Sequence, residues 1–406
     1  MGQPFFLSLF FACLAAAQPI RYISFMTSSS CKSIAAVFWV LSLALGSVAA
    51  NGQATPAPSF ENVSERAAAA LKANQFEEAV RLYRQAVTIR PGWSEGWGYL
   101  AATLYSLNRY PEARDAYKRT TILTPKNGPS WAYLGLCEYE LRAYPHAFDH
   151  LFKGEQLGLG SDRDLTANVK YHLALLWTTA GQFDHGLLEM QWFPEQNLGS
   201  QDIFEALGLS VLRRPWFPYE VPTDKLAMIL TAGEASFAES VHKPEEARKL
   251  YEKLASDYPK EQDVHYAYGK FLSNLDIDAA LKEYEKEIEL TPSHVPARIE
   301  VAFLCLKMGK MDKALSFAQE AARIEPRNPA AHNLAGRALM ELNRTQEAIP
   351  ELVLATRLAP QNSGFHLNLA RAYQKGGDKA LATKEIATFN ELESKKAPPP
   401  TQPPSQ

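Results

Sequence analysis

Residues 60–393 carry apolar side chains at helical spacing, broken at short, regular intervals by turn signals. The apolar runs end repeatedly at proline, as in AVTIRP, TILTP, IELTP, ARIEP and TRLAP. Pro91 and Pro125 are 34 residues apart, as are Pro292 and Pro326, and Pro326 and Pro360. Aligned on these prolines, the chain shows two further phases. Small residues recur at Ala67, Ala101, Gly135, Ala174, Ala235, Gly269, Ala302, Gly336 and Ala370. A second small set follows at Ala79, Ala113, Ala147, Gly186, Ala247, Ala280, Ala314, Ala348 and Ala382. Helices whose backbones approach closely need small side chains at the crossing, so each period is predicted to be a closely packed helix pair. Leu107-Asn108-Arg109, Ala180-Gly181-Gln182 and Met308-Gly309-Lys310 supply turns between the two helices of a pair.

Large apolar residues fill the neighbouring core positions: Leu100, Leu134, Leu173, Val301 and Leu369 in first helices, Tyr83, Tyr117, Leu151, Tyr251, Tyr284 and Leu352 in second ones. Nine repeats then begin near residues 60, 94, 128, 167, 228, 262, 295, 329 and 363. Trp97, Leu100, Ala101, Leu104, Tyr110, Ala113, Tyr117 and Pro125 together resemble the signature of the tetratricopeptide repeat family, and Trp131, Leu134, Gly135, Tyr144 and Ala147 repeat it. The resemblance implies an all-α fold, a right-handed superhelical solenoid of stacked helix-turn-helix pairs. It also implies that the first helix of each pair lines a concave face on which other proteins or extended peptides are held.

The periodic region divides in two. Residues 60–193 form a first block of about four repeats and residues 228–394 a second of about five. Between them, residues 194–227 read as an irregular connector: a helix from Gln201 to Leu212, then RRPWFPYEVPT. Trp216, Phe217 and Tyr219 lie there among prolines, outside any regular helix, and are expected either to bury against the array or to form a binding loop. Residues 1–50 are of a different composition. Ile34–Ala50 is an uncharged apolar run with Lys32 before it and small residues at its end, the layout of a secretory signal peptide, with Met26 as the expected start. The expected location is therefore periplasmic or secreted; if the run is retained, the protein is membrane-anchored through residues 34–50. Residues 51–59 are a linker, and residues 395–406 a Pro-rich tail without core-forming side chains.

Charge and chemistry narrow the function classes. With 42 basic and 45 acidic residues the chain carries a net charge of −3, which offers no footprint for nucleic acid. No zinc-protease, nucleophile-elbow, phosphate-loop or dinucleotide motif occurs, so neither an enzyme nor a cofactor is expected. His265, His332 and His366 share the fourth position of their repeats, where Trp97 and Trp131 stand in repeats 2 and 3. Successive repeats are offset by roughly a helix diameter, ~10 Å, too far for shared metal ligation. His146 and His150 are one helical turn apart but lack a third ligand. Cys137 and Cys305 are expected to be small core residues.

A helical wheel turns one stripe of each first helix toward the concave face. In repeats 6 to 9 this stripe gives Lys270, Phe303, Lys307, Asn333, Arg337, Arg371 and Lys375, with Asn368 beside it and the acids Asp263 and Glu341 interspersed. These predict a groove for an extended, acid-bearing peptide. Tyr99, Tyr105, Tyr133 and Tyr139 form a candidate aromatic sub-site in repeats 2 and 3. The leading functional expectation is an exported, non-catalytic interaction scaffold. A second reading is an inert accessory subunit of an envelope enzyme or secretion assembly, and a third is glycan or small-ligand binding.

Overall fold

The computed structural model describes residues 59–396 of the 406. The expected export segment, most of the linker and the end of the Pro-rich tail lie outside the described residues. Among those described, the chain is helices joined by turns, with no strand. It divides after Gln196 into two compact units.

The N-terminal unit contains the helix pairs Phe60–Lys72 and Phe76–Ile89, Ser94–Ser106 and Tyr110–Leu123, Gly128–Glu140 and Tyr144–Leu157, and Arg163–Thr179 and Phe183–Met190. A single turn, Trp192–Glu195, follows. The C-terminal unit opens with Gln201–Val211 and then holds Thr223–Ser240 with Pro244–Asp257, and Val264–Leu272 with Ile277–Leu290. It continues with Val295–Lys307 and Met311–Ile324, Pro329–Glu341 and Thr345–Leu358, and Ser363–Gly376 and Lys379–Lys396. Within each unit every helix packs on the next. First helices of neighbouring repeats also touch: Pro329–Glu341 lies between Val295–Lys307 and Ser363–Gly376.

The two small positions sit where the helices of a pair cross. Ala67, Ala79, Ala113, Ala147, Ala247, Ala280, Ala302, Ala314 and Ala348 are completely buried. A Cβ added at Gly135 would lie 2.7 Å from Leu151 Cγ, and one at Gly336 2.5 Å from Leu352 Cγ. The turn inside a pair is as regular. Asn74, Asn108, Arg142, His242, Asn343, Gly181, Gly309 and Gly377 all have positive φ, the left-handed residue that ends a helix. In repeat 2 the N–H of Arg109 then returns to the carbonyl of Leu104 at 2.9 Å and satisfies an otherwise unpaired helix-end acceptor. Turns between repeats end in caps: Asn127, Asn328 and Asn362 accept from the first-turn amides of Ser130, Ala331 and Phe365.

The connector is more regular than its composition suggests. Gln201–Val211 and Thr223–Ser240 form a tight helical hairpin, and the second helix starts five residues before the repeat boundary expected at 228. Two glycines allow the crossing. A Cβ on Gly208 would stand 1.9 Å from Ile229 O, and one on Gly233 1.7 Å from Phe204 O, so the backbones themselves are in contact. The small-residue rule that marks the repeats therefore extends across this segment.

These contacts separate two kinds of glycine. Gly98 lies inside Ser94–Ser106 with open space where a Cβ would go, so Gly98→Ala is expected to stabilise by about 0.5–1 kcal/mol through helix propensity. Gly233→Ala must force the hairpin apart, and Ala113→Leu must overpack a fully buried crossing, each at a cost of about 1–3 kcal/mol. Chemical denaturation of the three variants beside an exposed control, Lys126→Ala, checks the sign at each position.

Candidate interaction surface

The inner face of the C-terminal unit depends on how successive first helices are fixed to the repeat before them. Each preceding repeat closes at a proline whose carbonyl has left the helical hydrogen-bond ladder. At five junctions the residue six positions later, the fourth of the next first helix, supplies a donor. Trp97 Nε1 donates to Pro91 O and Trp131 Nε1 to Pro125 O, both at 2.9 Å. In the C-terminal unit imidazole replaces indole: His265 Nε2 donates to Pro259 O at 3.2 Å, His332 Nε2 to Pro326 O and His366 Nε2 to Pro360 O at 3.0 Å. A carbonyl only accepts, so Nε2 carries a proton in all three histidines.

Their other nitrogens meet carboxylates on the second helix of the same repeat. Nδ1 lies 2.6 Å from Glu283, Glu351 and Glu385 in the three repeats. Burial pushes the Glu283 carboxyl upward, but the bonds from His265 and Lys286 outweigh it and hold the group below its usual value. The histidines are thus structural ties, each joining two helices and a turn. Sequence reading marked the shared fourth position but not the carboxylates, whose signal is a Glu 18 or 19 residues beyond each histidine. Among the described residues no cluster of three or more His, Cys, Asp or Glu is arranged to hold a metal ion. His150 instead bonds Glu138 at 2.6 Å and packs its ring on Trp131. Cys137 and Cys305 are buried free thiols.

The candidate groove residues separate into two groups. Lys270 Nζ lies 3.2 Å from Glu300 on the next first helix. Asn368 Nδ2 donates to Asn333 Oδ1 at 2.9 Å, and Lys375 Nζ donates to Met340 O at 2.8 Å. All three contacts cross between neighbouring first helices. Asn333, expected to face the groove, is only 6% exposed, because the following first helix lies against it. Asp263 leaves the groove altogether. It sits at 2% exposure with left-handed backbone, bonded by His294 Nε2 at 2.9 Å and flanked by Arg213 and Arg214. The second group is uncommitted. Arg337 is half-buried and Arg371 exposed, and neither has a hydrogen-bond or ion-pair partner among the described residues. Phe303 is 39% exposed, with Lys307 Nζ 5.8 Å from its ring centroid.

The tyrosine set of repeats 2 and 3 packs between repeats. Tyr99 stacks on Tyr83 of the preceding second helix with centroids 5.5 Å apart, and Tyr133 stacks on Tyr117 at 5.4 Å. Tyr105 meets Tyr110 and Tyr133 edge-on. Tyr139 meets Tyr144 and, at 4.3 Å, His172, whose imidazole burial pushes down to about 4 and so keeps neutral. Each of the four is half-buried with a ring already against it. In the connector, Phe217 is buried, Trp216 half-buried beside Arg214, and Tyr219 51% exposed with its ring stacked on Phe217. Arg214 also donates to Gln262 O at 2.9 Å, and Lys225 pairs with Glu261 at 2.5 Å. These bonds pin the segment to the start of Val264–Leu272.

The repeated tie between a proline carbonyl and a ring N–H six residues on recurs in five repeats, and two family profiles described as tetratricopeptide repeat match the chain, one over residues 70–135 and 306–356, the other over 333–387. The matched segments are tetratricopeptide repeats. A relative with the same repeat in its name, the small glutamine-rich tetratricopeptide repeat-containing protein 2 of Mycosarcoma maydis, is 26% identical over 132 residues. That match spans 32% of this chain and 38% of the relative. Among solved structures, MamA from Desulfovibrio magneticus RS-1 (residues 41 to the end) is 22% identical, covering 42% of this chain and 97% of that one with a TM-score of 0.39. YrrB, titled a TPR protein with an unusual peptide-binding site, is 17% identical, covering 42% of this chain and 92% of that one with a TM-score of 0.36. No role for this chain follows from those likenesses.

The Glu283 tie gives a pH-dependent test. A carboxyl held below its usual value of 4.5 contributes stability that is complete above that pH and is lost as pH falls through the lower, folded value. Glu283→Gln should therefore be less stable than the parent at neutral pH, by about 1–3 kcal/mol for a buried charged hydrogen bond. The gap between the two denaturation midpoints should narrow below pH 4.5.

Proposed function

We propose that this protein is an exported, non-catalytic scaffold that holds an extended, acid-bearing segment of another protein on the inner face of its last repeats. The observation that carries the reading is the division of the polar groups on that face. Lys270, Asn333, Asn368 and Lys375 are used up in fixing first helices to one another, whereas Arg337 and Arg371, at the repeat position that exposed Phe303 holds in the repeat before them, have no partner among the described residues. Lys307 adds charge, and Glu341 is the exposed acid among them. A guanidinium donates paired hydrogen bonds to a carboxylate, and exposed pairs are individually weak, on the order of 1 kcal/mol or less. Binding is accordingly of micromolar class and sensitive to salt.

Charge reversal at both positions, Arg337→Glu with Arg371→Glu, is expected to weaken partner capture from an envelope fraction while the unfolding free energy stays within about 0.5 kcal/mol of the parent's. The same partners captured by the double variant would show that this face is only solvated.

Export supports the choice of fraction. The apolar run 34–50 with its small-residue end is of signal-peptide length, and Lys32 supplies the positive flank. N-terminal sequencing of the mature protein should find a product that began at Met26 and was cut near Ala50 or Ala54. A chain retaining residues 34–50 would be anchored instead.

A further inference from the structure

We infer that the inner face of repeats 7 to 9 reads its partner in a fixed register: one large apolar side chain and two carboxylates, each about three residues from the next. The inference deepens the peptide-holding reading above and rests on it.

Phe303, Arg337 and Arg371 stand at equivalent positions of three consecutive first helices, spaced 34 residues apart in sequence. These helices are direct neighbours, so the three side chains form a row with steps of ~10 Å, the distance between packed helices. An occupant must present matching groups at that interval. A polyproline-type segment has three residues per turn and rises about 3.1 Å per residue, so every third side chain faces the same way at steps of about 9 Å. A β-strand repeats its face at about 6.6 Å and then about 13 Å, and matches poorly. A helix reaches about 10 Å at seven residues, but helix-in-groove docking needs a continuous apolar stripe. This face offers one exposed aromatic among cations, so the helical occupant is disfavoured.

The cross-links keep the row in step. Asn368–Asn333 and Lys375–Met340 tie repeat 9 to repeat 8 on either side of Arg337 and Arg371 in sequence, which fixes the distance between the two helices that carry them before any partner arrives. Asn333 is buried and already engaged, so it holds the helices and leaves recognition to the arginines.

The full chain is titrated, by fluorescence anisotropy, with labelled peptides in a Ser/Pro background carrying Phe and two Glu residues. The Phe-to-Glu and Glu-to-Glu spacings are set to two, three, four or seven, in both orders along the peptide. The three-spaced peptide, in one of the two orders, should bind about fivefold or more tighter than the two- and four-spaced ones, the scale of one exposed ion pair. Arg371→Gln should weaken the three-spaced peptide by a similar factor, and should have no further effect once the terminal Glu is replaced by Gln. Equal affinity at all spacings, with Arg337→Glu and Arg371→Glu still weakening all of them, overturns the register and leaves the acid-holding surface intact. A best fit at seven overturns it in favour of a helical partner. If no peptide binds and the charge-reversed chain still captures its partners, both the register and the reading beneath it fall.

Discussion

The closest approach between the two helices of each repeat governs everything built on it. A crossing lined by Ala and Gly lets the backbones meet, and the completely buried row from Ala67 to Ala348 shows that this approach is kept through both units. Protein interiors tolerate little excess volume, so one larger side chain at such a site propagates as a shift of a whole helix. In a repeat array that shift is passed to the next repeat, because each helix packs on its successor. The spacing of first helices, and with it any row of side chains on their inner face, is therefore set by residues that never reach that face.

The tie from one repeat to the next solves a second problem with two chemistries. The chain leaves its helix at proline, and the carbonyl there needs a donor. Indole supplies one N–H and leaves its ring to pack, as Trp131 does against His150 and under Lys153, whose Nζ lies 3.5 Å from its centroid. Imidazole supplies the same N–H but has a second nitrogen, and in repeats 6, 8 and 9 the structure gives it a carboxylate. Repeat 7 lacks this tie. Arg298 takes the fourth position, reaching His294 O with Nη1 and Glu320 with Nε. The N-terminal unit thus adds ring stacks between repeats, Tyr83–Tyr99 and Tyr117–Tyr133, where the C-terminal unit places histidine–carboxylate bonds.

The repeat period, the crossing positions and the helix pairs were legible in the sequence, because a glycine or alanine held in phase nine times has a single geometric explanation. The connector was less legible. Pro215, Pro218 and Pro222 suggested irregular chain, whereas Gly208 and Gly233 had already placed a tight crossing around them. Composition within a window conceals a contact made across it. The groove was legible only as a stripe. A helical wheel gives direction about a single axis, so it could not foresee that the neighbouring helix covers Asn333, or that the left-handed turn at Asp263 carries its carboxylate inward to His294. Nor could it find Glu351 or Glu385, which face His332 and His366 from helices whose rotation the wheel leaves free.

Counting basic residues along a face is therefore a poor measure of what that face can bind. Lys270 and Lys375 contribute charge, but their donors are directed at Glu300 and at the carbonyl of Met340, so a partner would have to displace an existing bond to use them. Replacing one exposed ion pair with another gains little, since both lose the same solvation and the same side-chain freedom. Arg337 and Arg371 carry no such debt. Arg337 is also half-buried, which lowers the solvation it has left to lose and strengthens the field it presents. The surface is thus prepared in two steps: committed side chains set the distance between helices, and uncommitted ones present charge at that distance. Specificity in such an arrangement comes from the rigidity of the first group as much as from the chemistry of the second.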